Sequence, residues 1–236
     1  MTELLYRDDP YLATCEARVV GTRGNAFVLD RTICYARGGG QPGDSGSLLR
    51  GDGRVLAIAD TVHGDAGEIL HVVGDDGPLP VAGETVRIDL DWPRRHAHMR
   101  MHTCLHLLGA VLRYGVTGGN ITAERSRLDF DMDASPDREA VEAELNALVE
   151  CDLPVRAFWI DEAELDSRPE LVRTLSVRPP RGAGRIRLLE IPEVDLQPCG
   201  GTHVARTGEI GTVRIGKIEK KGRRNRRVYV GFAAAS

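Results

Sequence analysis

Two short runs far apart in the chain, His102-Thr-Cys-Leu-His106 and Cys199-Gly-Gly-Thr-His203, constrain the fold more than any other feature of the sequence. Each places two good metal-ligand side chains four positions apart, so one helix or tight turn can bring both to a single ion. If both runs serve one ion, the polypeptide between them must return to its starting point. A thiolate beside imidazoles favours zinc over magnesium or calcium, which prefer oxygen. No Glu follows the first His, so this is not the HExxH arrangement of zinc proteases, and a Glu-activated water is not evident.

The first run should be helical. Asp91 is a plausible cap, Pro93 fits the first turn where its missing N–H costs nothing, and the helix should end near Tyr114, before Gly115. Met101, Leu105, Leu108 and Leu112 recur at helical spacing as a buried stripe, with His102 and His106 about 100° round from it, at the edge of the core. His98 shares that face, so spacing alone allows either His98 and His102 or His102 and His106 as the pair. In the second run Pro198 precedes Cys199 and two glycines follow, which should let the backbone fold tightly enough for Cys199 and His203 to face one point.

Composition bounds the functions open to such a chain. The formal charge of −4 excludes a globally basic nucleic-acid binder, so any RNA contact must use a local patch. One exists: Lys217, Lys220, Lys221, Arg223, Arg224, Arg226 and Arg227 crowd a stretch whose one acid is Glu219. Arg94, Arg95 and Arg100 are further candidates for a phosphate backbone. The five cysteines are scattered and odd in number, which argues for a reducing compartment and against a disulfide framework. With no apolar run approaching about 18 residues, and a start too charged for a signal peptide, the expectation is a cytoplasmic protein with no membrane partner.

From Cys15 to about Trp92 the chain reads as a small all-β unit. Strands are expected at Ala17 to Val20 and Ala26 to Leu29 around a turn at Gly21 to Asn25, then at Val55 to Val62, Leu70 to Val73 and Val86 to Leu90, with Gly74-Asp-Asp-Gly77 as a turn. Several short punctuated strands imply a compact barrel. Within it, Arg37-Gly38-Gly39-Gly40-Gln41-Pro-Gly-Asp44-Ser-Gly46 gives the backbone access to positive φ and lets a substrate approach the main chain. After the first helix, Ile121 to Phe130 alternates as a strand and Ser135-Pro136 opens a helix running to about Cys151. Val155 to Ile160 is β-like, Glu162 to Leu165 a helical turn, and Arg185 to Ile191 a strand leading into the second ligand run. Val213 to Ile218 and Val228 to Phe232 make a hairpin with the basic run at its tip. Arg178 to Gly184 is the expected mobile loop. The fold class is α+β: a small N-terminal β-barrel over 1–92, then an α+β domain over 93–236 with helices packed on an antiparallel sheet.

The runs HTCLHLL at 102–108 and VDLQPCGGTHV at 194–204 resemble the two zinc signatures of the alanyl-tRNA synthetase editing domain and of its free-standing relatives, the AlaX-type alanyl-tRNA editing proteins. The stretch from Leu29 through Gly46 is similar to the same family's glycine-rich motif, with Cys34-Tyr35-Ala36 where the usual form has Phe-Tyr-Pro. The resemblance implies His102, His106, Cys199 and His203 as ligands of a Zn2+ ion, leaving out His98, and a glycine-rich loop on a β-barrel that faces the zinc. It implies a trans-editing hydrolase that deacylates alanine tRNA mischarged with serine or glycine. In that setting Thr32 is expected to read the serine hydroxyl and Gln41 to orient groups at the ester. Gly38, Gly39 and Gly40 would line the chamber, and Lys220, Lys221, Arg223, Arg224, Arg226 and Arg227 would meet the tRNA. The rivals are a zinc-stabilised RNA-binding module without activity and an editing hydrolase for a different tRNA.

Overall fold

A computed structural model of the chain describes residues 2–74, 77–172 and 184–233. The polypeptide divides into two compact units, Met1–Ala97 and His98–Ser236. The first carries strands β1 (Glu3–Leu4), β2 (Thr14–Arg23), β3 (Ala26–Leu29), β4 (Arg31–Thr32), β5 (Gly46–Arg50), β6 (Val55–His63), β7 (Ile69–Val73) and β8 (Thr85–Leu90). Strands β2, β3, β7, β6, β5 and β8 close in that order into an antiparallel barrel. Alternation builds it: Val86, Ile88 and Leu90 of β8 point inward and join Ala17, Val19, Phe27, Leu29, Leu48 and Ile58 in one core. Each buried Val, Leu, Ile or Phe side chain there contributes about 1.5–3 kcal/mol against leaving it in water.

The barrel strands begin and end within a residue or two of their expected places, apart from β2. There Gly21, Thr22 and Arg23 still pair with β3, so the turn tightens to Gly24 and Asn25, with Gly24 at a φ of 57°. β5 was not expected from sequence; its alternation is interrupted by Leu48-Leu49, and it earns its place by pairing with both β6 and β8. Asp75 and Asp76 of the expected turn and residues 178–183 of the expected loop lie outside the described residues.

Helix α1 (Trp92–Leu112) spans the division between the units. It starts as expected, with the Asp91 carboxylate accepting the Arg94 N–H at 3.2 Å. It stops two residues early, because Arg113 takes a left-handed φ of 56°. The expected single apolar stripe is a correction: every side chain from Met101 to Leu108 is buried, so this stretch of the helix is enclosed on all sides.

The second unit continues with β9 (Val116–Asn120), β10 (Arg125–Asp131), α2 (Arg138–Glu150), β11 (Arg156–Asp161), α3 (Glu162–Ser167), β12 (Arg185–Ile191), β13 (Asp195–Pro198), β14 (Val213–Gly222) and β15 (Asn225–Phe232). These form a four-stranded antiparallel sheet in the order β14-β15-β10-β9 and a three-stranded one in the order β11-β12-β13. Helix α2 is capped by Asp137, not by Ser135, and its Asn146 exchanges two hydrogen bonds with the backbone of Val213 in β14. Of the strand expected over 121–130, residues 121–124 are a turn between β9 and β10 and only the part from Arg125 is strand, since Thr122 folds back to bond both backbone groups of Arg125. The β14–β15 hairpin is also longer than expected. Lys220, Lys221, Arg226 and Arg227 lie within its strands, and Arg223 and Arg224 form the tip. Among the described residues no helix is long and apolar enough to cross a membrane.

Candidate metal centre

Helix α1 presents His102 and His106 one turn apart, and the loop after β13 presents Cys199 and His203. One potential ligand atom from each lies within 4.8 Å of the others. The Cys199 sulfur is 3.6 Å from His102 Nε2 and 3.2 Å from His203 Nε2. Nitrogens at about 2.1 Å and a sulfur at about 2.3 Å from one tetrahedral ion would stand roughly 3.5 Å apart, so these spacings suit a shared ion. The His102 and His203 rings approach to 4.2 Å between centroids and the His106 and His203 rings to 4.9 Å. His98, buried one turn earlier, is outside the cluster.

The loop is held from behind. Cys199 N–H continues the β12–β13 ladder to Arg187 O at 3.0 Å, and the Arg187 guanidinium donates to the carbonyls of Cys199 and Gly201 at 3.1 and 3.0 Å. The loop folds tightly enough for Cys199 and His203 to face one point, with Gly200 and Gly201 outside the positive-φ region and the buried Arg187 bracing the turn.

A further layer of side chains aims the rings. His106 Nδ1 meets Asp195 Oδ2 at 2.8 Å, and Gln197 bridges the same pair at 3.1 and 2.7 Å. His203 Nδ1 meets Thr103 Oγ1 at 3.2 Å, and Thr103 also bonds Met99 O and Val204 N. Orienting Nδ1 in this way leaves Nε2 of His106 and His203 for an ion. Sequence reasoning did not assign Asp195, Gln197, Thr103 or Arg187 a part. The period-two spacing of Asp195 and Gln197 just before Cys199 was the available signal, because alternate strand residues share a face.

Burial pushes the Cys199 thiol up, but the His102 and His203 imidazoles outweigh it and hold the group well below its ordinary value. For His106 burial works against the charged form, yet the Asp195 carboxylate and Cys199 overcome it and raise the ring to about 10. Burial, then neighbouring His102, hold His203 well below its ordinary value. Thiolate and carboxylate together bring two negative charges to one buried point, the complement of a divalent cation. The cluster can therefore hold a metal ion, and its nitrogen and sulfur donors are consistent with zinc.

The other predicted site residues are placed as follows. Thr32 is wholly buried in the first unit; its Oγ1 is 2.8 Å from His71 Nε2 and accepts the Cys34 N–H at 3.0 Å. His71 Nδ1 lies 3.3 Å from Phe27 O, which can only accept, so Nε2 accepts in turn and the Thr32 hydroxyl donates to it. Gly39 and Gly40, at φ of 57° and 83°, form a two-residue turn closed by reciprocal bonds between Gly38 and Gln41 at 3.1 and 2.9 Å. Gln41 is buried. Beyond it, a Cβ on Gly43 would fall 2.0 Å from Thr61 O.

The basic residues divide sharply. Arg95 is fully buried and ion-paired with Asp44, so it does not meet a phosphate backbone as expected. Arg94 donates to Gly43 O, and Arg100 bonds Ile210 O and stacks on Phe232. Arg226 is buried and bonds the carbonyls of Gly222, Asn225 and Asp133. Arg227 forks onto Asp129, Arg224 pairs with Asp131, and Lys221 with Glu219. Lys220 and Arg223 are exposed.

Residues 186–229 match the family model described as the threonyl and alanyl tRNA synthetase second additional domain. Over 233 residues the chain is 35% identical to the alanyl-tRNA editing protein AlaX-M of Saccharolobus solfataricus, covering 97% of this chain and 98% of that one. The chain belongs to the AlaX family of alanyl-tRNA editing proteins. A longer AlaX relative, the AlaX-L protein of Pyrococcus horikoshii, is 36% identical and is covered over 56% of its length. The alanine–tRNA ligase of Korarchaeum cryptofilum is 38% identical over 93% of this chain, which corresponds to 25% of the ligase. The AlaX match thus takes in both units, and the family-model match takes in Cys199 and His203.

Proposed function

We propose that the chain is a trans-editing hydrolase that cleaves the ester joining serine or glycine to the 3′ end of alanine tRNA, with Zn2+ held by His102, His106, Cys199 and His203. The observation that carries this is the convergence of those four side chains on one point in a chain alike over nearly its whole length to an alanyl-tRNA editing protein. When bound, zinc would supply a Lewis acid able to orient or polarise an ester carbonyl or amine. Asp195, Gln197 and Thr103 keep the imidazoles aimed, and Arg187 keeps the Cys199 loop in place.

Discrimination falls to the first unit in this reading. Because the Thr32 hydroxyl gives its proton to His71, it has a lone pair to offer and no proton, which suits a serine hydroxyl as donor. Alanine would forgo that hydrogen bond while the oxygen keeps the Cys34 N–H, a loss of about 0.5–1.5 kcal/mol, up to roughly tenfold in rate. Gln41, which cannot serve as a base at neutral pH, orients groups at the ester. Such a second site is needed because a synthetase pocket built for alanine cannot exclude glycine by size or strongly reject one added hydroxyl.

The test is deacylation of seryl-, glycyl- and alanyl-tRNA of the alanine isoacceptor, with and without a chelator. Hydrolysis of the first two, lost on chelation and restored by zinc, is expected. Four protein donors also fit a closed structural zinc, the reading in which the protein binds RNA without activity. Intact esters in the presence of a fully metal-loaded protein would establish that alternative.

A further inference from the structure

The outward face of the β14-β15-β10-β9 sheet has no part in the metal centre. Register places Arg127 opposite Tyr229 and Asp129 opposite Arg227 on this face, while Ser126, Leu128, Phe130, Val228 and Val230 turn to the buried side. The Arg125 guanidinium stands 4.8 Å from the centroid of the Tyr229 ring. It makes no ion pair among the described residues. Around it runs a polar groove of about 480 Å³ lined by Asn120, Thr122, Glu124, Arg125, Arg127 and Tyr229. On β14 it is Gly216 that lies beside Tyr229, and a Cβ there would fall 3.4 Å from Tyr229 Cβ.

Charge on this face is unevenly balanced. Arg127 and Arg227 share the single carboxylate of Asp129, and Lys217 and Lys221 share that of Glu219, so each trio keeps a surplus positive charge. Arg125 adds another, and exposed Arg223 stands at the hairpin tip. Glu124 is the acid on the groove's rim. In a chain of net charge −4, this concentration is a local feature and not an overall bias.

We infer that this sheet face is the docking surface for the phosphodiester backbone of the RNA partner, with Arg125 as its central contact and Tyr229 as the platform that aims it. That the partner is RNA rests on the function proposed above; the place of docking rests on the face itself. A guanidinium already laid against an aromatic ring loses less freedom on binding and can present two parallel donors to a phosphate. The two-to-one trios add attraction without a buried unpaired charge, and binding would release counterions from the RNA.

The experiment measures binding of uncharged alanine tRNA to the full metal-loaded chain between 50 and 300 mM salt, for wild type, Arg125→Ala, Tyr229→Leu, Tyr229→Phe and Glu124→Gln. Arg125→Ala should weaken binding about tenfold at low salt and reduce the slope of log affinity against log salt by about one. Tyr229→Leu should weaken it several-fold and Tyr229→Phe, which keeps the ring, should restore it. Glu124→Gln should strengthen it. An unchanged slope in Arg125→Ala, or a loss equal at all salt concentrations, overturns the proposal. So does a Tyr229→Phe protein as weak as Tyr229→Leu. If the wild type hydrolyses no mischarged tRNA while Arg125 still sets the salt slope, the hydrolase reading fails and the docking surface stands.

Discussion

At the scale of single residues, the groups that matter most are those whose hydrogen bonds leave them one remaining thing to do. Asp195 fixes His106 through Nδ1, so Asp195→Asn should lower metal affinity about 10–100-fold while leaving all four ligands in place, as read by competition with a chromogenic chelator. Cys199→Ser should take metal content well below one ion per chain, measured by elemental analysis. His71 offers a test of a different kind. Burial lowers it from 6.5 to about 4, so the unfolded chain takes up a proton that the folded one refuses. Its contribution to stability is therefore complete above about pH 6.5 and is lost as the pH falls toward 4. Between pH 7 and pH 5 that loss amounts to about 2 kcal/mol, and His71→Gln should remove it from the difference between urea-unfolding curves taken at the two pH values. None of this was legible in the sequence, where His71 is one histidine within a barrel strand; the tautomer follows from Phe27 O and the burial from closure of the barrel.

At the scale of elements, the glycine-rich stretch is held by more than its glycines. Asp44 accepts the Tyr35 N–H at 2.6 Å and pairs with Arg95, whose guanidinium also bonds Ile33 O at 2.7 Å and Pro10 O at 3.1 Å. One buried arginine at the start of α1 thus ties down both ends of the loop. Asp44→Asn should cost about 3–5 kcal/mol in chemical denaturation, because it strands a buried cation. Strands β3 and β6 to β8 and helices α1 and α2 were legible, since their apolar periods are clear and punctuated. β5 and β9 were not, because Leu48-Leu49 and Gly118-Gly119 disturb alternation, and pairing partners decide what local preference leaves open. The basic run could be found by composition, but only the register of β15 separates Arg226, turned into the protein, from Arg227 on the outward face.

At the scale of the whole molecule, each unit has a core of its own, the barrel's around Phe27, Leu48 and Ile88 and a smaller one around Ile160, Ile186 and Leu188 under β11-β12-β13. Metal binding should act on the second unit, whose α1 and β13 segments are joined at the ligand cluster. Zinc at a hundred times its dissociation constant should add about 2.7 kcal/mol of stability. Chelation should speed hydrogen exchange in the C-terminal half of α1 and in β12 and β13, while amides of β2, β6 and β8 keep their protection. Equal deprotection of the barrel would contradict this division.

The sequence by itself determined the candidate donor set, since two His/Cys pairs at four-residue spacing are a covalent fact about reach and donor type. It also determined the barrel's existence and the start of the ligand-bearing helix, because alternation, caps and prolines act locally. Helical spacing left His98 and His106 equal, the family resemblance favoured His106, and the tertiary structure brings His106 and not His98 into the cluster. It alone revealed that Arg187 shapes the Cys199 loop, that Arg95 is a buried strut, and that Thr32 gives its proton to His71. Each of those outcomes depends on a partner distant in the chain, and no local pattern records which distant group will arrive.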